Sequence, residues 1–174
     1  MTYLDEIKRC NPALDPWETE QLLLQLITLD VRCILEIGTH EGGSMALWKS
    51  ILKPELIVTV DSGEWCGRST YGVHFLTRSR SQNPRCQQRV RELLRGRTVD
   101  FLFIDGGHTY PEVLEDWRAY SSLVRPGGLV VFHDIQNTHP DCEVWRRWQE
   151  LRDGPSYETS EIIGSGTGFG LVYV

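Results

Sequence analysis

Glu36-Ile37-Gly38-Thr39-His40-Glu41-Gly42-Gly43-Ser44 is the stretch on which the fold turns. It follows the apolar run Cys33-Ile34-Leu35 and leads into Met45-Ala46-Leu47-Trp48. A short apolar run closed by a glycine reads as a buried strand. The residues beyond the glycines read as a helix that stops at Pro54. Gly38 permits a tight turn, and Gly42 lets the backbone approach a ligand closely. The helix start beyond them offers unpaired N–H groups. The spacing differs from Gly-x-Gly-x-x-Gly, and Glu36 stands two positions before the first glycine. A carboxylate there repels a pyrophosphate and attracts a cation. A plain strand-to-helix turn is the alternative.

Working outward, the same alternation recurs. Asp15 and Pro16 open a helix over 16–29. Further strands are expected at 56–61, 73–76, 99–105, 129–134 and 168–174, with helices over 84–95 and 111–124. Asp141 is read as the cap of a helix running through Leu151. Most strands are apolar on both faces, which predicts a mostly parallel sheet covered by helices on both sides. The last strand is expected to be antiparallel. No repeat, low-complexity stretch or linker divides the chain. The expectation is one domain over 1–174: an N-terminal helical segment to 30, a core over 31–140, and a C-terminal helix and strands over 141–174.

At 174 residues the chain leaves no room for a second, substrate-binding domain. It is 40% apolar and 24% charged, an ordinary globular composition. The net charge of −6 argues against a general nucleic-acid binder. Residues 78–97 oppose this with seven arginines against the single acid Glu92. No aromatic side chain interleaves them, so a solvated helix face is preferred to a nucleic-acid surface. The five cysteines are odd in number and widely spaced, which speaks against a disulfide framework and for free thiols in a reducing cytosol. Charges in the first ten residues do not suit a signal peptide, and no apolar run is long enough to cross a membrane. Trp117, Trp145 and Trp148 are read as core, and His40, His74 and His139 as loop or packing residues.

Asp61 ends the second strand, where a carboxylate can accept from both hydroxyls of a ribose. With Glu36-x-Gly38-x-x-x-Gly42, Asp105 after the fourth strand and Arg125-Pro126-Gly127-Gly128 before the fifth, the chain resembles class I S-adenosylmethionine-dependent methyltransferases. The segments Ile37 to Ser44, Ile104-Asp105-Gly106-Gly107-His108-Thr109-Tyr110 and Phe132-His133-Asp134 resemble the small-molecule O-methyltransferase branch in particular. That branch includes macrolide-sugar and rhamnosyl O-methyltransferases and cephalosporin-hydroxylase-like proteins. The resemblance spans roughly residues 30–140 and implies a Rossmann-like sheet of seven strands. It also implies S-adenosylmethionine as cofactor, with Glu36, Gly38, Thr39, Gly42, Ser44, Asp61, Ser79 and Asp105 as contacts. The branch often places an acid against the adenine after the third strand; here Arg78-Ser79-Arg80 stands instead, and Ser79 or Gln82 is the substitute.

Asp105 and Asp134 end apolar parallel strands and are expected to meet at one sheet edge. Two carboxylates there can hold Mg²⁺. The resemblance implies a third ligand beside the second carboxylate, where this chain has His133, which would favour Mn²⁺. Asp134 as a turn cap and His133 as a packed ring is the alternative. The resemblance further implies a base, His or Lys, three residues past Asp105. Here it is His108, an imidazole suited to take a proton from a hydroxyl near neutral pH, with Asp105 counted as catalytic beside it and a capping residue before Pro111 as the alternative. The expected function is O-methylation of a small-molecule hydroxyl on a sugar, polyol or natural product, in the cytoplasm and without a membrane. A non-catalytic relative of the fold and a nicotinamide-dependent oxidoreductase are the rival readings. A substrate lid is expected from 62–72, from 135–140, from the N-terminal helix or from another subunit of a homo-oligomer.

Overall fold

The computed structural model describes residues 2–64 and 72–174. The expected lid residues 65–71, Cys66 among them, lie outside the described residues. The elements in chain order are α1 (Tyr3–Cys10), α2 (Pro16–Leu26), β1 (Cys33–Ile37), α3 (Gly43–Leu52), β2 (Leu56–Val60), β3 (Val73–Leu76), α4 (Pro84–Leu94), β4 (Val99–Ile104), α5 (Tyr110–Tyr120), a 3₁₀ turn over Ser121–Leu123, β5 (Val124–His133), α6 (Val144–Arg152), β6 (Glu158–Ile162) and β7 (Phe169–Tyr173). The strands form one sheet in the order β3-β2-β1-β4-β5-β7-β6. All neighbouring pairs are parallel except β5–β7 and β6–β7, so β7 alone runs against the rest.

Alternation along the strands divides the core into two layers. Leu35, Ile37, Val58, Val60, Leu102, Ile104, Val130 and Phe132 pack with residues of α4, α5 and α6. Ile34, Ile57, Phe101, Phe103, Val131, Phe169 and Leu171 pack with residues of α1, α2 and α3. Trp48 of α3 meets Phe101 and Phe103 edge-on at 5.5 and 5.6 Å. Sheet order reverses beside β1, so the C-terminal ends of β1, β2 and β4 open on one crevice, where ligands of such sheets bind.

Five readings are corrected. The segment before residue 30 holds two helices; α1 is closed by a capping box between Thr2 and Asp5. β5 begins at Val124, not 129, because the Arg125-Pro126-Gly127-Gly128 stretch continues the strand across a register irregularity opposite Val99 and Phe101. α6 begins at Val144 with Glu143 before it, and Asp141 is not its cap. A further strand, β6, precedes the expected strand at 168–174, in a stretch for which no strand range is expected. Trp145 is exposed, whereas Trp117 and Trp148 are buried. No helix among the described residues is long and apolar enough to cross a membrane.

Candidate functional site

The glycine-rich turn between β1 and α3 is held by a carboxylate. Asp61 follows β2, and its Oδ2 accepts from the backbone N–H of Thr39 at 2.7 Å and of His40 at 2.8 Å. Its Oδ1 accepts from Gly63 at 2.6 Å. Burial would raise the Asp61 pKa, but the three backbone donors win and hold it below its ordinary value. A carboxylate has about four acceptor sites, so three are spent on the chain itself. Gly38 takes φ +92°, and a Cβ there would stand 1.9 Å from the Asp105 carbonyl oxygen. The tight turn therefore also brings β1 and β4 together. Gly42 begins α3 at φ 81°.

Glu36 points elsewhere. It shares strand parity with Ile34, so its side chain faces α3 and is fully buried. Trp48 Nε1 donates to its Oε2 at 2.9 Å, Thr59 Oγ1 lies 3.3 Å from its Oε1, and Ser44 also bonds to it. Burial pushes its carboxyl up to about 8, against the pull of those donors.

At the neighbouring strand ends the carboxylates meet imidazoles. Asp105 Oδ1 lies 2.9 Å from His133 Nδ1. Asp134 takes the left-handed conformation at φ 65°, which turns its side chain off the strand. Its Oδ2 lies 2.9 Å from His108 Nε2 and 3.5 Å from His133 Nδ1, and its Oδ1 accepts from Asn137 Nδ2 at 3.0 Å. Burial opposes charge on Asp134, yet the bonds to His108 and His133 win and hold its pKa well below the carboxylate range. Burial likewise opposes charge on His133, and the Asp105 and Asp134 bonds carry it up to about 10. The bond to Asp134 raises His108 in the same way.

Ligand-capable atoms of Asp105, His108 and Asp134 all lie within 4.8 Å of one another. Two carboxylates and one imidazole suit a divalent cation such as Mg²⁺ or Mn²⁺. The imidazole in this group is His108, not His133. His133 has Nδ1 against Asp105 and Nε2 at 3.0 Å from Thr167 Oγ1, so both ring nitrogens are already engaged.

A cavity of about 490 Å³ joins the two halves. It runs from Gly38, Thr39, Gly43 and Ser44 past Asp61 and Ser79 to Asp105, His108 and Asp134. Asn11, Pro12 and Ala13, between α1 and α2, line it as well. Among the described residues its acids, Asp61, Asp105 and Asp134 with Glu41 and Glu112, outnumber the single arginine, Arg80, which suits a cationic ligand. Its volume falls in the range of small-molecule sites, roughly 300–1,000 Å³.

Residues 35–135 match the sequence model of a family described as a methyltransferase domain. The chain belongs to that family. Among solved structures, the methyltransferase domain is similar to the O-methyltransferase TomG of Streptomyces achromogenes, involved in tomaymycin synthesis and solved with SAM, at TM-score 0.67 and 19% identity over 100% of this chain and 90% of that one. An O-methyltransferase of Bacillus cereus, solved with SAH, gives TM-score 0.65 and 20% identity, covering 99% and 90%. The methyltransferase MycE of the mycinamycin pathway, solved with Mg, SAH and mycinamycin VI, gives 0.66 and 17% over 89% of this chain, but only 48% of MycE is covered. A curated relative from Acanthamoeba polyphaga mimivirus is 28% identical over 59% of this chain, which spans about half, 51%, of that protein. A second, from Sinorhizobium fredii, is 31% identical over 69% of this chain and 15% of its own length.

Within the methyltransferase domain, the structure brings Gly38, Thr39, Ser44, Asp61, Ser79, Asp105, His108, His133 and Asp134 to one cavity. Glu36 and Gly42 are not among its lining residues. His40, read as a loop or packing residue, lines it with φ 46°. The sequence reading missed Asn137 and Thr167 beside the carboxylates. The only signal for Thr167 was its place in the glycine-alternating run Gly164-Ser165-Gly166-Thr167-Gly168. The arginine-rich stretch is largely a paired, solvated surface: Arg78 with Glu64, Arg80 with Glu112, Arg89 with Glu92 and Arg97 with Glu55.

Proposed function

We propose that this domain transfers a methyl group from S-adenosylmethionine to a hydroxyl of a small molecule. The observation that carries the reading is the Asp105–His108–Asp134 cluster, placed in the same cavity as the glycine turn and Asp61. S-adenosylmethionine supplies an electrophilic methyl on a sulfonium. Gly38, Thr39 and Ser44 bind its methionine end, the remaining acceptor capacity of Asp61 takes a ribose hydroxyl, and Ser79 or Gln82 borders the adenine. Glu36 and Gly42 support the turn from beneath. A divalent cation held by Asp105 and Asp134 would lower the pKa of the acceptor hydroxyl. In this reading the two carboxylates hold the cation and His108 stays outside its ligand set: it is exposed enough to reach the acceptor and takes its proton. His108 can accept that proton only when neutral, and its bond to Asp134 raises its pKa, so without a bound cation the rate climbs as pH rises through a value above that of an ordinary imidazole.

The short α1–α2 connection at Asn11 to Ala13 borders the acceptor. A second subunit completes the site, in line with Trp17, Leu24 and Ile27 exposed on or just beyond α2. The free thiols Cys10, Cys33, Cys86 and Cys142 suit a reducing cytoplasm.

A thermal-shift comparison of S-adenosylhomocysteine with NAD tests the cofactor. Stabilisation by S-adenosylhomocysteine alone is expected; stabilisation by NAD alone overturns the reading in favour of the oxidoreductase. Incubation with labelled S-adenosylmethionine and a panel of sugars, polyols and phenols, with His108→Ala as control, then tests transfer. Binding without transfer to any acceptor would favour the non-catalytic relative.

A further inference from the structure

The run Gly164-Ser165-Gly166-Thr167-Gly168 between β6 and β7 wraps around one carboxylate. Glu18 of α2 is fully buried, and Gly164 N–H donates to its Oε1 at 2.7 Å. Gly166 N–H donates to the same oxygen at 3.1 Å, and Gly168 N–H to Oε2 at 3.2 Å. Ser165 Oγ donates to Asp15 Oδ2 at 2.9 Å. The glycines make this approach feasible. A Cβ at Gly166 would stand 2.5 Å from Glu18 Oε2, and one at Gly164 would stand 2.8 Å from the Trp17 ring. A buried carboxylate is costly unless its oxygens are satisfied, so Glu18 and the loop fix one another.

The residue that this loop presents inward is Thr167. Its Oγ1 lies 3.0 Å from His133 Nε2, and it also bonds to the Asp134 side chain. Its carbonyl accepts from Gln136 N–H at 2.8 Å, which stitches the loop to the exit of β5. His133 Nδ1 in turn meets Asp105 at 2.9 Å. Hydrogen bonds to Glu18 at one side and from Thr167 at the other, joined through the 166–168 backbone, therefore connect a helix near the N-terminus to both carboxylates of the cluster. Sheet geometry alone does not orient Asp105 and Asp134, since each side chain begins where its strand ends.

We propose that Glu18 and Thr167 are positioning residues: Glu18 holds the 164–168 loop so that Thr167 and His133 fix the geometry of the Asp105 and Asp134 carboxylates. The purpose of this device rests on the methyl-transfer reading, but its existence can be tested apart from it.

Thr167→Val keeps the side-chain shape and removes the hydroxyl, and Thr167→Ser restores it. Two measurements are made on the full chain. Mn²⁺ affinity is read by electron paramagnetic resonance, and the His133 ring nitrogens are read by ¹H–¹⁵N correlation in metal-free protein. Thr167→Val is expected to weaken Mn²⁺ binding by roughly 10–100-fold, as loss of a ligand-orienting partner does. It should also shift the His133 ring resonances, with S-adenosylhomocysteine affinity unchanged. Thr167→Ser should return both signals toward wild type. Glu18→Gln should show the same signature, and the double variant should be no worse than Thr167→Val alone, because both act through one path. Wild-type ring resonances in Thr167→Val, or failure of Thr167→Ser to restore them, would overturn the proposal. So would fully additive losses in the double variant. A wild-type chain that binds no Mn²⁺ would remove the metal from the proposed function, while the ring resonances would still decide the positioning role.

Discussion

Two ends of the same sheet use carboxylates in opposite ways. At β1 and β2, Glu36 and Asp61 are turned toward the chain itself. One is buried beneath α3 against Trp48, and the other spends three acceptor sites on backbone N–H groups. At β4 and β5, Asp105 and Asp134 face imidazoles beside a cavity, with ligand-capable atoms of Asp105, Asp134 and His108 within 4.8 Å. The first pair shapes a loop, and the second pair is available to a ligand. An acidic residue at a strand end is thus no sign of chemistry until its hydrogen-bond partners are known.

The two regions are joined along the β1–β4 pairing, and disturbing its tightest approach, at Gly38, should have the largest effect. Gly38→Ala would place a Cβ 1.9 Å from the Asp105 carbonyl oxygen at φ +92°. Backbone cannot yield there without separating β1 from β4. A loss of at least about 3 kcal/mol in urea denaturation is expected. Gly96→Ala is the control. It has a similar φ of +79° but nothing within 4 Å, so it should cost only about 1 kcal/mol. Equal losses would mean that the close approach of the two ends does not matter.

Removing one carboxylate from each region in turn is a sharper test with a smaller effect. Asp61→Ala frees three backbone donors of the glycine turn. S-adenosylhomocysteine affinity, measured by calorimetry, should fall by about 10-fold or more, in keeping with charge-assisted bonds of roughly 1.5–3 kcal/mol. Asp105→Asn should leave that affinity within about 3-fold while Mn²⁺ affinity falls by at least 10-fold. A common loss of both ligands in both variants would abolish the distinction between the ends.

The sequence showed the strands that are buried on both faces, because continuous apolar runs have few other uses in a chain of this kind. It did not show β6. Glu158-Thr159-Ser160-Glu161-Ile162 has no clean period and is mostly exposed, and the strand exists because β7 offers it a free edge. α1 was hidden for a related reason: it is short and charged, although Thr2 and Asp5 carried its capping box in plain view. That Asp105 and Asp134 lie together was legible from their places at the strand ends, whereas His108 was singled out through the family resemblance and His133 stood in its place among the expected ligands. Thr167 was not, because a loop between two antiparallel strands delivers it from far along the chain. Glu36 was legible as an acid but not in its direction. Strand parity places it on the α3 face, whatever the charge of the ligand above.

That parity yields a pH-dependent effect and the most direct check on the loop-shaping end. Burial lifts the Glu36 carboxyl from an unfolded value of 4.5 to about 8 in the folded chain. Between those values the folded state holds a proton that the unfolded state has released. Stability attributable to Glu36 is therefore complete below about pH 4.5, falls as pH rises toward about 8, and levels off above it. Glu36→Gln imitates the protonated form and can still accept from Trp48 Nε1. It should remove this part of the slope and raise the melting temperature at pH 8 relative to wild type, with little change at pH 5. An equal shift at both pH values would mean that Glu36 carries its charge in the folded chain. The β1–β2 region would then hold two ionised carboxylates, Glu36 beside Asp61, and its contrast with β4 and β5 would reduce to the partners that each carboxylate meets.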